Sequence, residues 1–519
     1  MSIDILEEKL KVPWSIFSVL SDPMRPVDTI VVPEGLDLEL EGKLYERADD
    51  LPILKQAEDS SLRPQQWGAS WYLSLLEAAK GEVLKDFYYT RVKPNASIEE
   101  MLGAYGANSS ILLSPESTIQ LIFNGIYPCN PLKTDQEGVF KVEINWDGYE
   151  KKDDPVIPNA SLLYSMVDCK PVISEITLQY EGEEERVFKP ENPDFLKALY
   201  HFNCSAFYKG EISKYLGKHI SSEQYALAVF RCLNNHPIGT LLKPCLREVV
   251  EIDNRGKKDI FGDQGILARG PLKTSSIKDH LRDDLRGIDY SNFSPREVLF
   301  EGHNHAKCGQ KFWEILETAL DKFFTENKIN HEDPETKRMW YQIYHLSETL
   351  VGNSVEHREE DDKNYNSFLD TNEIDNPGHP GRRVVDGQLK TVRPITNSID
   401  NPTEEDIQRL KQFCMHAIYE VTFGHWWVHA SQKTWGLEMG LASLAPKKFG
   451  DLPYGGTEHA PAQHQISISK TLSDFDRGGL IANMNGDVYQ GLIEGLRGEA
   501  DFFSQHGLDI HKVPYGTII

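Results

Sequence analysis

Residues 192–237, NPDFLKALYHFNCSAFYKGEISKYLGKHISSEQYALAVFRCLNNHP, constrain this chain more than any other stretch. The pattern predicts one or two long helices ended by Pro237, because proline lacks the N–H that a helix interior needs. Within it, FYKGEISKYLGKHISSE (207–223) reads as a buried helix. Yet Lys209 and Lys214 stand inside that segment, five residues apart. A charge on a buried helix persists only when it is paired or serves a site.

The surrounding chain is mostly helical. Helical spacing of apolar residues recurs from Trp67 to Tyr89, and again over 310–327, 333–352 and about 486–505. Ser114 and Pro115 open a predicted helix that ends near Gly125. Thr403, with Asp406 three residues on, caps another over 403–435. Strands are predicted at 139–145 and as a hairpin over 175–188, with TIVV and LDLELEGKLYE as short strands before them. Residues 1–65 are expected to form a segment packed on the main helical domain, 66–519. Residues 353–402 lack periodicity and read as a long surface loop or lid.

The chain has 519 residues and a formal charge of −25, which repels phosphate backbones and argues against nucleic-acid partners. Seven scattered cysteines without a CxxC read as reduced thiols, which suits a cytoplasmic protein. No apolar leader and no run of 18 apolar residues is seen, so neither a signal peptide nor a transmembrane segment is expected. Oligomeric state is not legible.

Dinucleotide, P-loop, HExxH and GxSxG motifs are absent. HNHAKC (303–308) has metal-binding residue types but reads as a loop before a helix, with nothing nearby to complete a site. In HWWVH, His425 and His429 are four apart on one helical face and could grip one ion. The competing reading makes them a buried structural histidine and a surface one.

NNHPIGTLLKPCLREVVEIDNRGKKDIFGDQGI (234–266) resembles the core signature of the lipoxygenase family. His236-Pro237-Ile238, Leu241-Leu242, Pro244-Cys245-Leu246-Arg247, Ile252-Asp253 and Gln264-Gly265-Ile266 match it at ungapped spacing. STIQLIFNGIYPCNPLK (117–133), residues 309–344 and the ending GLDIHKVPYGTII are similar to further family segments. The likeness runs over roughly residues 65–519, and no N-terminal β-barrel of the eukaryotic type is seen. It implies a mainly α fold: a lipoxygenase-like helical catalytic domain around a long central helix, with a few short strands in the N-terminal half.

The resemblance also implies a non-haem iron (or manganese) held by histidines and by the terminal isoleucine carboxylate. His219 and Glu223 match the end of the family's helical pattern, which places its two ligand positions on Lys214 and Lys209. His429 fits a third ligand position. Lys433 stands where an asparagine is common, and Ile519 keeps the terminal carboxylate. A protonated lysine has no lone pair to donate. Three readings stay open. In one there is no metal, and ammonium groups pair with Ile519. In another the ion sits on His425, His429, His219 and Ile519, with His201 and His416 as outsiders. In the last, a helical bulge shifts the register.

The implied function is oxidative chemistry on a small hydrophobic, unsaturated, fatty-acid-like substrate, with Trp426, Trp427, Leu241 and Leu242 as pocket residues. The alternatives are a metal-free binding homologue and an enzyme using Lys209, Lys214 or Lys433 as base or Schiff-base former.

Overall fold

The computed structural model describes residues 113–232, 236–246, 249, 270–286, 293–329, 336, 382–385, 388–391, 403–435, 441–444, 446, 448–449, 480–484 and 487–517. The expected N-terminal strands, the helix from Trp67 and most of the one over 333–352 lie outside these residues, as does Ile519.

Helix α1, Pro115–Asn124, begins as its sequence predicts: Ser114 accepts from the Ser117 N–H, and Ser117 returns the bond. Five antiparallel strands follow in sequential order, β1 Leu132–Lys133, β2 Val139–Ile144, β3 Asn159–Val167, β4 Lys170–Gln179 and β5 Arg186–Phe188. Alternation sets the buried face, with Val142 and Ile144 beside Ala160, Leu162 and Tyr164, then Ile176 and Leu178. The β4–β5 hairpin matches expectation, with Gly182 at positive φ in its turn. Strand β3 was not among the predicted strands. It pairs with β4 through a tight turn in which Asp168 and Cys169 both take positive φ.

The sheet packs on α2, Phe195–Lys209, where the Trp146 indole donates to Ser205 Oγ at 2.9 Å. Every residue from Ala198 to Tyr208 is buried, so this helix has no solvent face and runs through the core. It does not continue as one α-helix. A π-helical segment, π1 (Gly210–Leu216), intervenes before α3, Gly217–Cys232. Pro237 does not end that helix either. It opens α4, Pro237–Leu246, at the first position, where its missing N–H costs nothing.

Helix α5, Thr274–Arg286, was not among the predicted helices. Helix α6, Asn304–Asn327, starts earlier than predicted, so His305 and Cys308 are helical rather than in a loop. The supposed loop 353–402 contains strands β6 Arg382–Val385 and β7 Gln388–Thr391, paired antiparallel. The intervening Asp386-Gly387 is a strong hairpin signal that the reading of this stretch overlooked. Helix α7, Glu404–Tyr419, carries the expected Thr403–Asp406 box. It passes through a second π-helical segment, π2 (Glu420–Gly424), into α8, His425–Trp435. The chain closes through α9 Leu480–Asn483, α10 Asp487–Gly498 and α11 Ala500–Gln505.

Candidate functional site

Both π segments lie where two core helices face each other. A π turn widens the helix by one residue and rotates every side chain beyond it. Here π1 sets the direction of His219 on α3, and π2 sets that of His425 on α8. The two Nε2 atoms meet 3.1 Å apart with the rings nearly perpendicular. Both histidines are buried, at 4% and 0% exposure. Two nitrogens bound at about 2.1 Å and at right angles to one ion stand about 3 Å apart, so the pair has the spacing of neighbouring ligands.

His425 Nδ1 is buried without a hydrogen-bond partner among the described residues. Without an ion its proton is therefore better placed on Nε2, aimed at His219; an ion held at Nε2 requires that proton on Nδ1 instead. Burial, and then the neighbouring His219, His429 and Lys218, push the His425 pKa well below the ordinary histidine value, so the ring is neutral. A neutral imidazole is the form that donates a lone pair to a metal.

His429 stands one turn on. Its ring centroid is 5.8 Å from that of His425 and 5.5 Å from that of Trp426, stacked on both. Tyr215 from π1 lies flat against His425 at 5.5 Å and near His429 at 6.1 Å. Among the described residues, no group of three or more His, Cys, Asp or Glu side chains is set to hold a metal ion. The chain end approaches the same region: Thr517, fully buried, shares a 2.8 Å hydroxyl contact with Ser222, one turn beyond His219.

The lysines occupy a neighbouring space. Lys209 Nζ lies 2.6 Å from His280 Nε2 and 5.4 Å over the Trp146 ring. Ser213 Oγ is 3.0 Å from the same His280 nitrogen, and Asp284 is 3.7 Å from it. Burial raises the Asp284 pKa, but His280, Lys209, Ser213 and Lys214 outweigh that and hold the carboxyl below its usual value. Burial and then Arg296 depress the Lys214 pKa to about 8. The side chains of Lys433 and Glu223 lie outside the described residues.

Two cross-links join these helices beside the histidine pair. Lys218 pairs with Glu420, tying α3 to π2. Gln432 Nε2 donates to Glu211 Oε2 at 2.8 Å, tying α8 to π1. Burial raises the Glu211 pKa to about 7. Sequence reasoning missed Glu211, Lys218, His280, Asp284, Arg296 and Glu420. A glutamate and a further lysine on the buried central helix were the available signals for Glu211 and Lys218. His280 reaches the cluster from α5, a helix that the sequence reading did not predict although Ile277, Leu281 and Leu285 recur at helical spacing.

The remaining candidates lie outside the histidine pair. His201 bonds the Tyr180 hydroxyl at 2.9 Å and is driven by burial to a pKa of about 3. His416 meets Tyr225 edge-on and Phe293 at a tilt, and burial keeps it likewise neutral. His303 stacks on Phe300, and the His305 N–H donates to Asn124. Leu241 and Leu242 are core residues on α4. Trp426 and Trp427 line a cleft of about 400 Å³ with Gln120, Asn124, Trp435 and Leu508. Trp426 thus separates the cleft from the His429 ring.

No family model matches the chain. A search of curated proteins finds polyunsaturated fatty acid lipoxygenase ALOX15 of Sus scrofa, 27% identical over 29% of this chain and 25% of that protein. It also finds the allene oxide synthase-lipoxygenase protein of Plexaura homomalla, 24% identical over 34% of this chain and 18% of that protein. The matched region thus spans about a quarter or less of these relatives. Among solved structures, a 9R-lipoxygenase from Cyanothece PCC8801 superposes with a TM-score of 0.67 at 25% identity, over 96% of this chain and 75% of that one. A lipoxygenase variant solved anaerobically in complex with arachidonate gives 0.67 at 15% identity, over 95% and 83%. Mostly helical, with two antiparallel sheets of five and two strands among the described residues and this likeness along nearly its whole length, the chain is a relative of the lipoxygenase family.

Proposed function

We propose that this chain is a divergent lipoxygenase-like oxidoreductase acting on an unsaturated, fatty-acid-like substrate. The supporting observation is the His219–His425 pair, whose Nε2 atoms converge at the spacing of two neighbouring metal ligands. His219 and His425 would hold a non-haem iron or manganese ion, with His429 and the Ile519 carboxylate as further donors. Such an ion, when bound, supplies the one-electron chemistry by which hydrogen is removed from a pentadiene before oxygen adds. The protein keeps His425 neutral by burial and holds both rings through π1, π2 and the two cross-links. Tyr215 lies over the His425 ring and Trp426 over that of His429.

A second reading, a metal-free binding homologue, draws on Lys214, whose depressed but still cationic amine stands on π1, just before the helix that carries His219. Metal analysis of the purified full chain separates the two. The oxidoreductase reading expects about one iron or manganese per chain, lost in His425→Ala, and oxygen uptake with a polyunsaturated fatty acid. Protein that holds neither metal after expression and reconstitution with each would leave only the binding reading.

A further inference from the structure

Outside the histidine pair, a cleft of about 400 Å³ opens between α1, α8 and the chain that follows α11. Helix α11 ends in a turn at Gly507, which has positive φ. The Leu508 N–H returns to the Phe503 carbonyl at 2.9 Å, and the Leu508 side chain is buried. A second turn follows at once, closed by the Lys512 N–H on the Asp509 carbonyl at 3.0 Å. It sets Asp509 and Lys512, both exposed, on the rim of the cleft.

Most polar groups of the lining are already spent. Asn124 Nδ2 donates to Gln120 Oε1 at 2.9 Å and to the Gly302 carbonyl at 2.7 Å, and its Oδ1 accepts from the His305 N–H at 3.0 Å. The Trp427 indole donates to the Asn124 carbonyl, and the Ser431 hydroxyl to the Trp427 carbonyl. Trp426 is half-buried, with one face stacked on His429 at 5.5 Å, which leaves its other face to the cleft. The Asp509 carboxylate accepts from the His511 N–H at 3.1 Å and forms no ion pair. The Lys512 ammonium has no hydrogen bond or ion pair among the described residues, and the two charges do not pair with each other.

Two opposite charges left apart beside one indole suit a ligand that carries both signs. A sugar or a primary ammonium needs several hydrogen-bond partners, and this lining has few to give. A quaternary ammonium needs none: an indole face and a nearby carboxylate suffice. A purely anionic ligand gains from Lys512 but is repelled by Asp509 and by a chain of net charge −25.

We propose that this cleft binds a choline phosphate group, with the trimethylammonium on Trp426 beside Asp509 and the phosphate at Lys512. The group comes either as free phosphocholine or as the head of a phosphatidylcholine lipid. The site uses neither His219 nor His425.

The test is calorimetric titration of the full chain with phosphocholine, choline and inorganic phosphate, and co-sedimentation with vesicles of phosphatidylcholine or phosphatidylglycerol. Soluble phosphocholine binding without the vesicles identifies a free ligand. Binding to phosphatidylcholine vesicles identifies the lipid head, since a vesicle presents many heads at once. Phosphatidylglycerol vesicles should stay unbound, because their charge repels the chain. Asp509→Asn keeps an acceptor for the His511 N–H and removes only the charge. It should weaken choline and phosphocholine by about threefold or more and leave phosphate unaffected. Lys512→Gln should weaken phosphocholine to a similar degree and leave choline unaffected. Trp426→Leu should weaken both cationic probes, and Lys322→Met, at an exposed site on α6, should change nothing. The proposal is overturned if neither phosphocholine nor phosphatidylcholine vesicles bind, if phosphatidylglycerol vesicles bind equally well, or if Asp509→Asn and Lys512→Gln both keep wild-type affinity. Iron content, measured in parallel, reports on the oxidoreductase reading independently.

Discussion

Glu211 is a carboxyl whose charge the fold resists. Its pKa rises from 4.5 to about 7 because it is buried against Gln432. The unfolded chain therefore releases this proton at lower pH than the folded one. Below the unfolded pKa the group contributes nothing to pH dependence. Stability falls as pH rises from about 4.5 to about 7, then levels. Glu211→Gln keeps a hydrogen-bonding partner for Gln432 and removes the titration. It should stabilise the protein by about 1–3 kcal/mol at pH 8 and not at pH 4, as measured by urea unfolding at each pH. At His425 the expected result is different. If the proposed metal reading holds, alanine there abolishes iron binding; in either case it removes one partner of His219, lowering metal-free stability by about 1–3 kcal/mol in the same unfolding assay. The residue types of this centre were legible in HWWVH and in the end of the central helix. Their pairing was not, because neither segment states which way its helix turns.

The two π segments decide that question. Seven residues at Gly210–Leu216 and five at Glu420–Gly424 re-aim the side chains beyond them. The π1 segment starts at Gly210, where an added Cβ would stand 2.7 Å from the Ile126 carbonyl oxygen. Gly210→Ala must push helix and loop apart. A loss of about 2 kcal/mol or more by denaturant unfolding is expected, with a weakened His219–His425 centre read from metal affinity. The Lys218–Glu420 pair ties the same elements. Glu420→Gln strands a partly buried ammonium and should cost about 3 kcal/mol, whereas the double change Lys218→Met with Glu420→Leu should be close to neutral. A double-mutant cycle measures both. Periodicity arguments located these helices and left a register-shifting bulge as one of three open readings, but apolar spacing could not place it within the one or two helices expected over 192–237. Likewise Pro237 was read as a terminator, though the same lack of an N–H suits it to begin a helix.

Across the whole molecule, the centre is assembled from segments some 200 to 300 residues apart. His219 meets His425, Lys218 meets Glu420, and Ser222 meets Thr517. The last described residues pack inward. Val513, Tyr515 and Thr517 are buried, and the Val513 carbonyl accepts from the Leu480 N–H. Truncation after Lys512 should therefore lower the Tm by several degrees and raise proteolysis of α3, because it uncovers core beside Ser222. The mainly helical class, the buried central segment, the capped helices and the family likeness could all be read from residues in order, since each rests on local spacing or on short motifs. Tertiary structure alone decided that π turns interrupt two of the helices, that His219 and His425 face each other, and that basic side chains collect beside Asp284. The physical reason is that helical phase and long-range contact are settled by the packing of the whole core. A one-residue widening costs little locally and leaves no mark in the apolar pattern, yet it redirects every side chain that follows.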